Sequence, residues 1–334
     1  MSRPEHIVAA FLLLALISYA VTGGADFGGG MWNLLARGPR AAAQRKAISK
    51  ALGPIWEADH VWLILVVVIL FTGFPPAFAT IMTALHIPVT LMLIGIILRG
   101  SAFIFGKYDT KAHKVQRGWS AMFGAASFFT PFVQGVTLGA LATGQIRVVN
   151  GGVATGFFAG WLSPFALVCG VFALGLCGFL AAVYLTLDPE VDPEVRNDFR
   201  LRGLWSGLLL VPIALGVFVT AKTGAPDIFQ GLTSGWGLLL MGATACCAVL
   251  ALASLWSRRF QIARITAIVE VTLVLAGWSL AQYPNLVIPD VTLLNAAAPV
   301  ATLRLLSIAL CLGSVLLLPS LAFLFYLFKG QSVN

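Results

Sequence analysis

Nine apolar stretches, each about 20 residues or longer, alternate with short loops that carry most of the cations. They run at roughly 6–33, 56–79, 81–105, 118–143, 159–186, 203–222, 232–256, 262–282 and 303–328. A helix needs about 20 predominantly apolar residues to cross the hydrocarbon core of a bilayer, so each stretch reads as one transmembrane helix. Composition agrees: 59% of the 334 residues are hydrophobic and 10% are charged, against about 25% charged in a soluble domain. Water could not solvate such a surface. The expected fold is an all-α polytopic membrane protein of about nine helices. Helices two and three should be joined by a very short turn near Pro75 and Pro76, because residues 76–84 carry no charge.

The net charge of +8 would suggest nucleic-acid binding in a soluble protein. Here the cations sit in clusters between apolar runs, so lipid headgroups and topology explain them, and no nucleic-acid partner is expected. Arg37, Arg40, Arg45, Lys46 and Lys50 follow the first stretch. Lys107, Lys111, Lys114 and Arg117 follow the third, Arg196, Arg200 and Arg202 the fifth, Arg258, Arg259 and Arg264 the seventh, and Lys329 the ninth. The opposite side holds Arg3, Arg147, Lys222 and Arg304. Positively charged loops stay in the cytoplasm. The N-terminus is therefore expected outside and the C-terminus inside, which requires an odd helix count. The first segment resembles a signal peptide, but Glu5 offsets Arg3 and the apolar run continues without a break, so it is expected to be retained.

Two loops have character. Residues 39–52 place Ala47, Ile48, Ala51 and Leu52 on one face and Arg45, Lys46 and Lys50 on another, the pattern of a short helix lying on the membrane surface. Residues 188–200 (DPEVDPEVRNDFR) read as a polar connector between a first group of four helices and a later group of five. The five cysteines, Cys169, Cys177, Cys246, Cys247 and Cys311, lie inside apolar runs without a metal or redox spacing, and read as packing residues.

A charge in the hydrocarbon core costs roughly 2.5–3.5 kcal/mol on insertion scales, so each one needs a reason. The candidates are Asp26, Glu57, Asp59, Arg99 and Glu270. With the topology above, Asp26, Glu57, Asp59 and Arg99 come from three consecutive helices to one depth near the cytoplasmic side. Two readings are open. One arginine could neutralise one acid while the others cap helices, or the excess of carboxylates could hold and pass a proton. Glu270 stands apart on helix eight and is expected to pair with Arg264 or to meet a partner subunit. His60 and His86 differ in depth by roughly 15 Å, from the 1.5 Å rise per residue. They cannot both bind one haem iron, so no haem or other metal is expected on this chain. His60 is placed with the acidic group, flanked by Trp56 and Trp62.

These residues carry a resemblance. GGADFGGGMWNLL (Gly23–Leu35), GPIWEADHVWLI (Gly53–Ile64), FPPAFA (Phe74–Ala79) and LRGSAF (Leu98–Phe103) are similar to the N-terminal half of cytochrome bd subunit II. QYPNLVIPDVTLLNAAAP (Gln282–Pro299), Thr302–Arg304 and PSLAFLFYLFK (Pro319–Lys329) are similar to its C-terminal region.

The resemblance implies two four-helix bundles, residues 1–143 and 155–282, plus a peripheral helix at 300–328, in a bacterial inner membrane. It implies a haem-free subunit paired with a larger subunit I. That partner carries haem b and haem d, oxidises quinol and reduces oxygen to water. A small single-helix accessory subunit, membrane lipids and quinone are further candidate partners. Proton entry is carried over to Glu57, with Asp26, Asp59 and Arg99 as its setting. Trp62 falls near an oxygen route, with Trp56 and His60 supporting the group. The chain departs from the family where Gly23 stands in place of an acid, and at Ile104 and Gly106, where relatives carry an acid and then an arginine or similar residue. These departures bear on the exact proton route. The competing reading is a transporter or permease, since glycine-rich segments beside buried acids also mark broken-helix substrate sites.

Overall fold

The computed structural model describes residues 3–52, 56–108, 113–188 and 191–329. Within these segments the side chains of 52, 56–58, 107–108, 113–117, 318, 321–322 and 324–329 lie outside the description. Twelve helices account for most of the described residues: α1 (Pro4–Leu35), α2 (Ala41–Leu52), α3 (Trp56–Gly73), α4 (Pro75–Ala84), α5 (His86–Tyr108), α6 (His113–Ala142), α7 (Pro164–Leu185), α8 (Pro193–Gly224), α9 (Pro226–Thr233), α10 (Gly235–Trp256), α11 (Phe260–Gln282) and α12 (Val300–Lys329). Among the described residues eight helices are long and apolar enough to span a membrane by themselves, and α3 with α4 makes a ninth if the bent pair counts as one span. The chain is an all-α, multi-pass membrane protein.

The bend between α3 and α4 is 117° and falls at Phe74. The short turn expected at Pro75 and Pro76 is thus a ten-residue helix of its own. Pro75 and Pro76 lack backbone N–H groups and fit only the first turn of a new helix, which ends α3 and starts α4. Phe74 is fully buried in a cluster with Val8, Ile69, Val287 and Leu303, so packing holds the corner.

From residue 191 on, the connector is also more regular than expected. Asp192 caps α8 by accepting a hydrogen bond from the Glu194 N–H, with Pro193 as first helical residue. The polar second half of the segment is therefore the first turns of a 32-residue helix, about 48 Å long and longer than the hydrocarbon core is thick. The α2 helix forms where the amphipathic pattern placed it.

α1 is the central element. It packs against α3, α6 and α7, and also against α11 and α12. Two antiparallel hairpins close one end: β1 (Val148–Val149) with β2 (Gly152–Val153), and β3 (Asn285–Val287) with β4 (Val291–Thr292). They are tied together at Asp290, which accepts from the Arg147 Nε and the Val148 N–H, both at 2.8 Å. Hydropathy alone did not announce these hairpins, because each strand is only two or three residues long.

Candidate functional site

The GGADFGGG segment lies inside α1, and its glycines bring two neighbours against the helix backbone. A Cβ added at Gly28 would collide with the Cys177 carbonyl on α7, and one at Gly30 with the Ser127 hydroxyl on α6. Only a residue without a side chain permits this approach. Asp26, in the same glycine-rich segment, is 5% exposed.

Arg99 reaches it from α5 and is 2% exposed. Its Nη1 donates to Asp26 Oδ2 at 2.6 Å, its Nη2 to the Asp26 backbone carbonyl at 3.2 Å and its Nε to Ser127 Oγ at 3.0 Å. The Ser127 hydroxyl in turn donates a hydrogen bond to the Phe123 carbonyl at 2.7 Å. The guanidinium also lies over the rings of Phe27, 4.7 Å away, and Phe123, 4.8 Å away. All three kinds of nitrogen in the guanidinium are engaged, and its faces meet aromatic rings. The carboxylate is less complete. Asp26 Oδ1 is buried and accepts no hydrogen bond among the described residues. That oxygen is the one polar atom of the pair left open to a further donor.

Asp59, on the first turns of α3, is 3% exposed. Tyr184 near the end of α7 lies within electrostatic reach of both Asp59 and Arg264. The buried acids Asp26 and Asp59 thus sit on packed neighbours, α1 and α3. Glu57 lies on the opening turn of α3; its side chain and that of Trp56 fall outside the described residues. Trp62 is partly buried and packs against the cluster of Tyr19, Phe27, Met31 and Cys177, immediately beside the Arg99 site. Tyr19 accepts a hydrogen bond from Gln134 Nε2 at 2.7 Å.

Ser127, Phe27 and Phe123 complete the arginine site and were not singled out in the sequence. A serine among the aromatic and small residues of an apolar run was the one available signal. Of the departures, Gly23 rests against the Tyr19 ring and Ile104 is exposed. Among the described residues the carboxylate on Arg99 is that of Asp26 alone.

Glu270 does not pair with Arg264. Its Oε2 and the Arg264 Nε are both buried without hydrogen-bond partners among the described residues. Six residues along a helix is 600° of rotation, so the two side chains point to different sides of α11. His86 Nδ1–H donates to the Thr83 carbonyl, 2.9 Å away, and the ring meets Phe157 edge-on.

The profile describing cytochrome bd terminal oxidase subunit II matches residues 4–328. The chain belongs to that family. A Bacillus subtilis protein provisionally named a cytochrome bd menaquinol oxidase subunit II is 24% identical over 320 residues, covering 93% of this chain and 91% of the relative. The cytochrome bd-I ubiquinol oxidase subunit 2 of Escherichia coli is 30% identical over 207 residues, covering 57% of this chain and 54% of the relative. The bd oxidase structure from Geobacillus thermodenitrificans superposes with a TM-score of 0.82 over 98% of both chains at 22% identity, which shows a shared fold. In this cytochrome bd subunit II, then, the one fully enclosed ion pair among the described residues joins two of the motifs that signalled the family, Gly23–Leu35 and Leu98–Phe103. As a member of that family the chain belongs with the oxidoreductase complexes of respiration.

Proposed function

We propose that this chain is the haem-free second subunit of a quinol:oxygen oxidoreductase, and that its own chemical contribution is a proton path from the cytoplasmic face. The observation that carries this is Asp26: a buried carboxylate with one oxygen on Arg99 and the other without a hydrogen bond among the described residues, on a helix packed against the one that carries a second buried acid, Asp59. Two quinols release four electrons and four protons on the outer side. One oxygen molecule takes up four electrons and four protons to give two waters. If the protons for water come from inside, an acid-lined way inward is required. Glu57 is the entry in this reading, at the membrane boundary on the opening turn of α3, with Asp59 and Asp26 beyond it. Arg99 keeps the Asp26 carboxylate from being stranded as an unpaired charge.

Haem b and haem d belong to the partner subunit I in this reading, and quinol is its substrate. The apolar packing of Trp62 with Phe27 and Met31 suits passage of oxygen, a small apolar molecule. The N-terminus and the hairpin end face the periplasm, and α2 with the start of α8 faces the cytoplasm, as the cation asymmetry requires.

The test is to purify the tagged full chain from its native membrane in mild detergent and record a reduced-minus-oxidised spectrum. Co-purification of a larger haem-bearing subunit with haem b and haem d absorption is expected. A colourless preparation that moves a solute across vesicle membranes would favour the permease reading instead.

A further inference from the structure

Where α1 ends and α8 begins, a recess of about 300 Å³ opens to the surface, lined among others by Arg37, Arg40, Gln44, Asp198 and Arg202. Its charges are unevenly spent. Arg40 is committed to acids: Nε and Nη2 donate to the two oxygens of Asp198 at 2.8 and 2.6 Å, and Nη1 to Glu194 at 3.2 Å. Asp198 takes a further hydrogen bond from Gln44 Nε2 at 2.7 Å. Arg202 lies within electrostatic reach of Asp198 but makes no ion pair with it, and among the described residues Arg37 has no carboxylate either. Three guanidinium groups therefore line the recess with one carboxylate, already shared.

Arg202 is held rigidly. Its guanidinium lies 5.1 Å from the Trp32 ring centre and 5.4 Å from that of Phe199, and its Nη2 donates to Gln44 Oε1 at 2.7 Å. Its Nη1 is buried and has no acceptor among the described residues. An immobilised charged donor without an acceptor is rare, because nothing offsets its desolvation. The matching ligand is an anion with several acceptor oxygens, for which the planar arginine fork is suited.

The surface below the recess says what else the ligand carries. Leu201 lines the recess, and Trp205 and Leu208 continue down the same side of α8. They are 43%, 65% and 54% exposed, and their spacing places them in one stripe along the helix. An anionic head at Arg37 and Arg202 would lead directly into an apolar track running into the membrane.

We propose that this recess is a binding site for the phosphate of an anionic phospholipid, held by Arg37 and Arg202, with an acyl chain along Leu201, Trp205 and Leu208. A free phosphate would use the same two arginines but would gain nothing from the stripe. Bound there, the lipid bridges the end of α1 to the start of α8 at the site where Arg40 and Gln44 already tie α2 to α8.

The full chain, with the subunits that accompany it, is delipidated and titrated with phosphatidylglycerol, phosphatidylcholine or inorganic phosphate. Retained lipid is read by native mass spectrometry and protection by the shift in unfolding midpoint. Phosphatidylglycerol should bind and protect, while phosphatidylcholine and inorganic phosphate do so weakly. Arg37→Gln, at an exposed side chain whose loss leaves the core intact, should weaken phosphatidylglycerol binding about tenfold, the scale of one charge-assisted contact. Trp205→Ala should weaken it as well, without reducing the response to inorganic phosphate. Lys46→Gln removes an exposed cation outside the recess and should leave binding unchanged. Equal losses in Arg37→Gln and Lys46→Gln would reduce the site to diffuse surface charge and overturn the proposal. Protection by inorganic phosphate matching that by phosphatidylglycerol would overturn the lipid assignment.

Discussion

Arg99 and Asp26 meet at 2.6 Å across 73 residues of chain, each almost wholly out of water. Such a pair contributes little net stability when intact, because desolvation offsets the attraction, but removing one partner leaves a buried charge with nothing to answer it. The pair is therefore asymmetric in its consequences, and mutation exposes this.

Arg99→Ala should destabilise the chain by about 3–5 kcal/mol, the range for breaking a buried ion pair, and reduce its recovery from membranes. The double variant Arg99→Gln/Asp26→Asn, which removes both charges, should recover a large part of that loss. Unfolding midpoints of the two variants in detergent check this. Equal destabilisation in both would mean that the aromatic and Ser127 contacts, rather than the charge, hold the site.

Glu57→Gln should slow oxygen reduction and proton uptake while leaving assembly and haem content of the complex near normal. An amide has the shape of the carboxyl group but cannot shuttle protons. Glu57→Asp should be tolerated. Oxygen consumption across pH on purified complexes measures this. Parental turnover of a fully assembled Glu57→Gln complex would return Glu57 to the role of a polar residue at a helix start.

Gly28→Val should cost about 1–3 kcal/mol, the usual penalty for forcing extra volume into a packed interior, because the new side chain meets the Cys177 backbone. Gly38→Ala should be milder: its added Cβ meets nothing, and only the positive φ of 81° resists it. Comparative thermal unfolding separates collision from backbone preference.

The Asp290 link between the hairpins should titrate. Its hydrogen bond from the Val148 N–H, and then the Arg147 guanidinium, hold its carboxyl below the ordinary value of 3.8. A group with a depressed folded pKa contributes stability that is present above its unfolded pKa and is lost as pH falls through the folded one. The hairpin end should therefore loosen only in acid, below about pH 4, and Asp290→Asn should abolish that step. Proteolysis of the 144–162 loop as a function of pH checks it.

Reporter fusions after Lys50 and after Lys329 should both report cytoplasm. A periplasmic signal from either would overturn the orientation, and with it the depth shared by Asp26, Glu57, Asp59 and Arg99.

The bilayer-spanning class, the order of helices, the amphipathic α2 and the presence of costly charges were all legible in the sequence. Each depends on local hydropathy, 3.6-residue periodicity and the side on which cations collect. The start of α8 was legible too, in Asp192 and Pro193, but the polar composition of the segment masked it. Tertiary structure alone decided which acid meets Arg99, since Asp26 is brought there by the packing of α1 against α6 and α7 at glycines whose partners the sequence does not name. It also left Glu270 without Arg264, and turned the proline pair after Phe74 into a corner with its own helix. Periodicity tells which way a side chain leaves its own helix; what it meets depends on which helix packs there, and that is settled by the whole bundle.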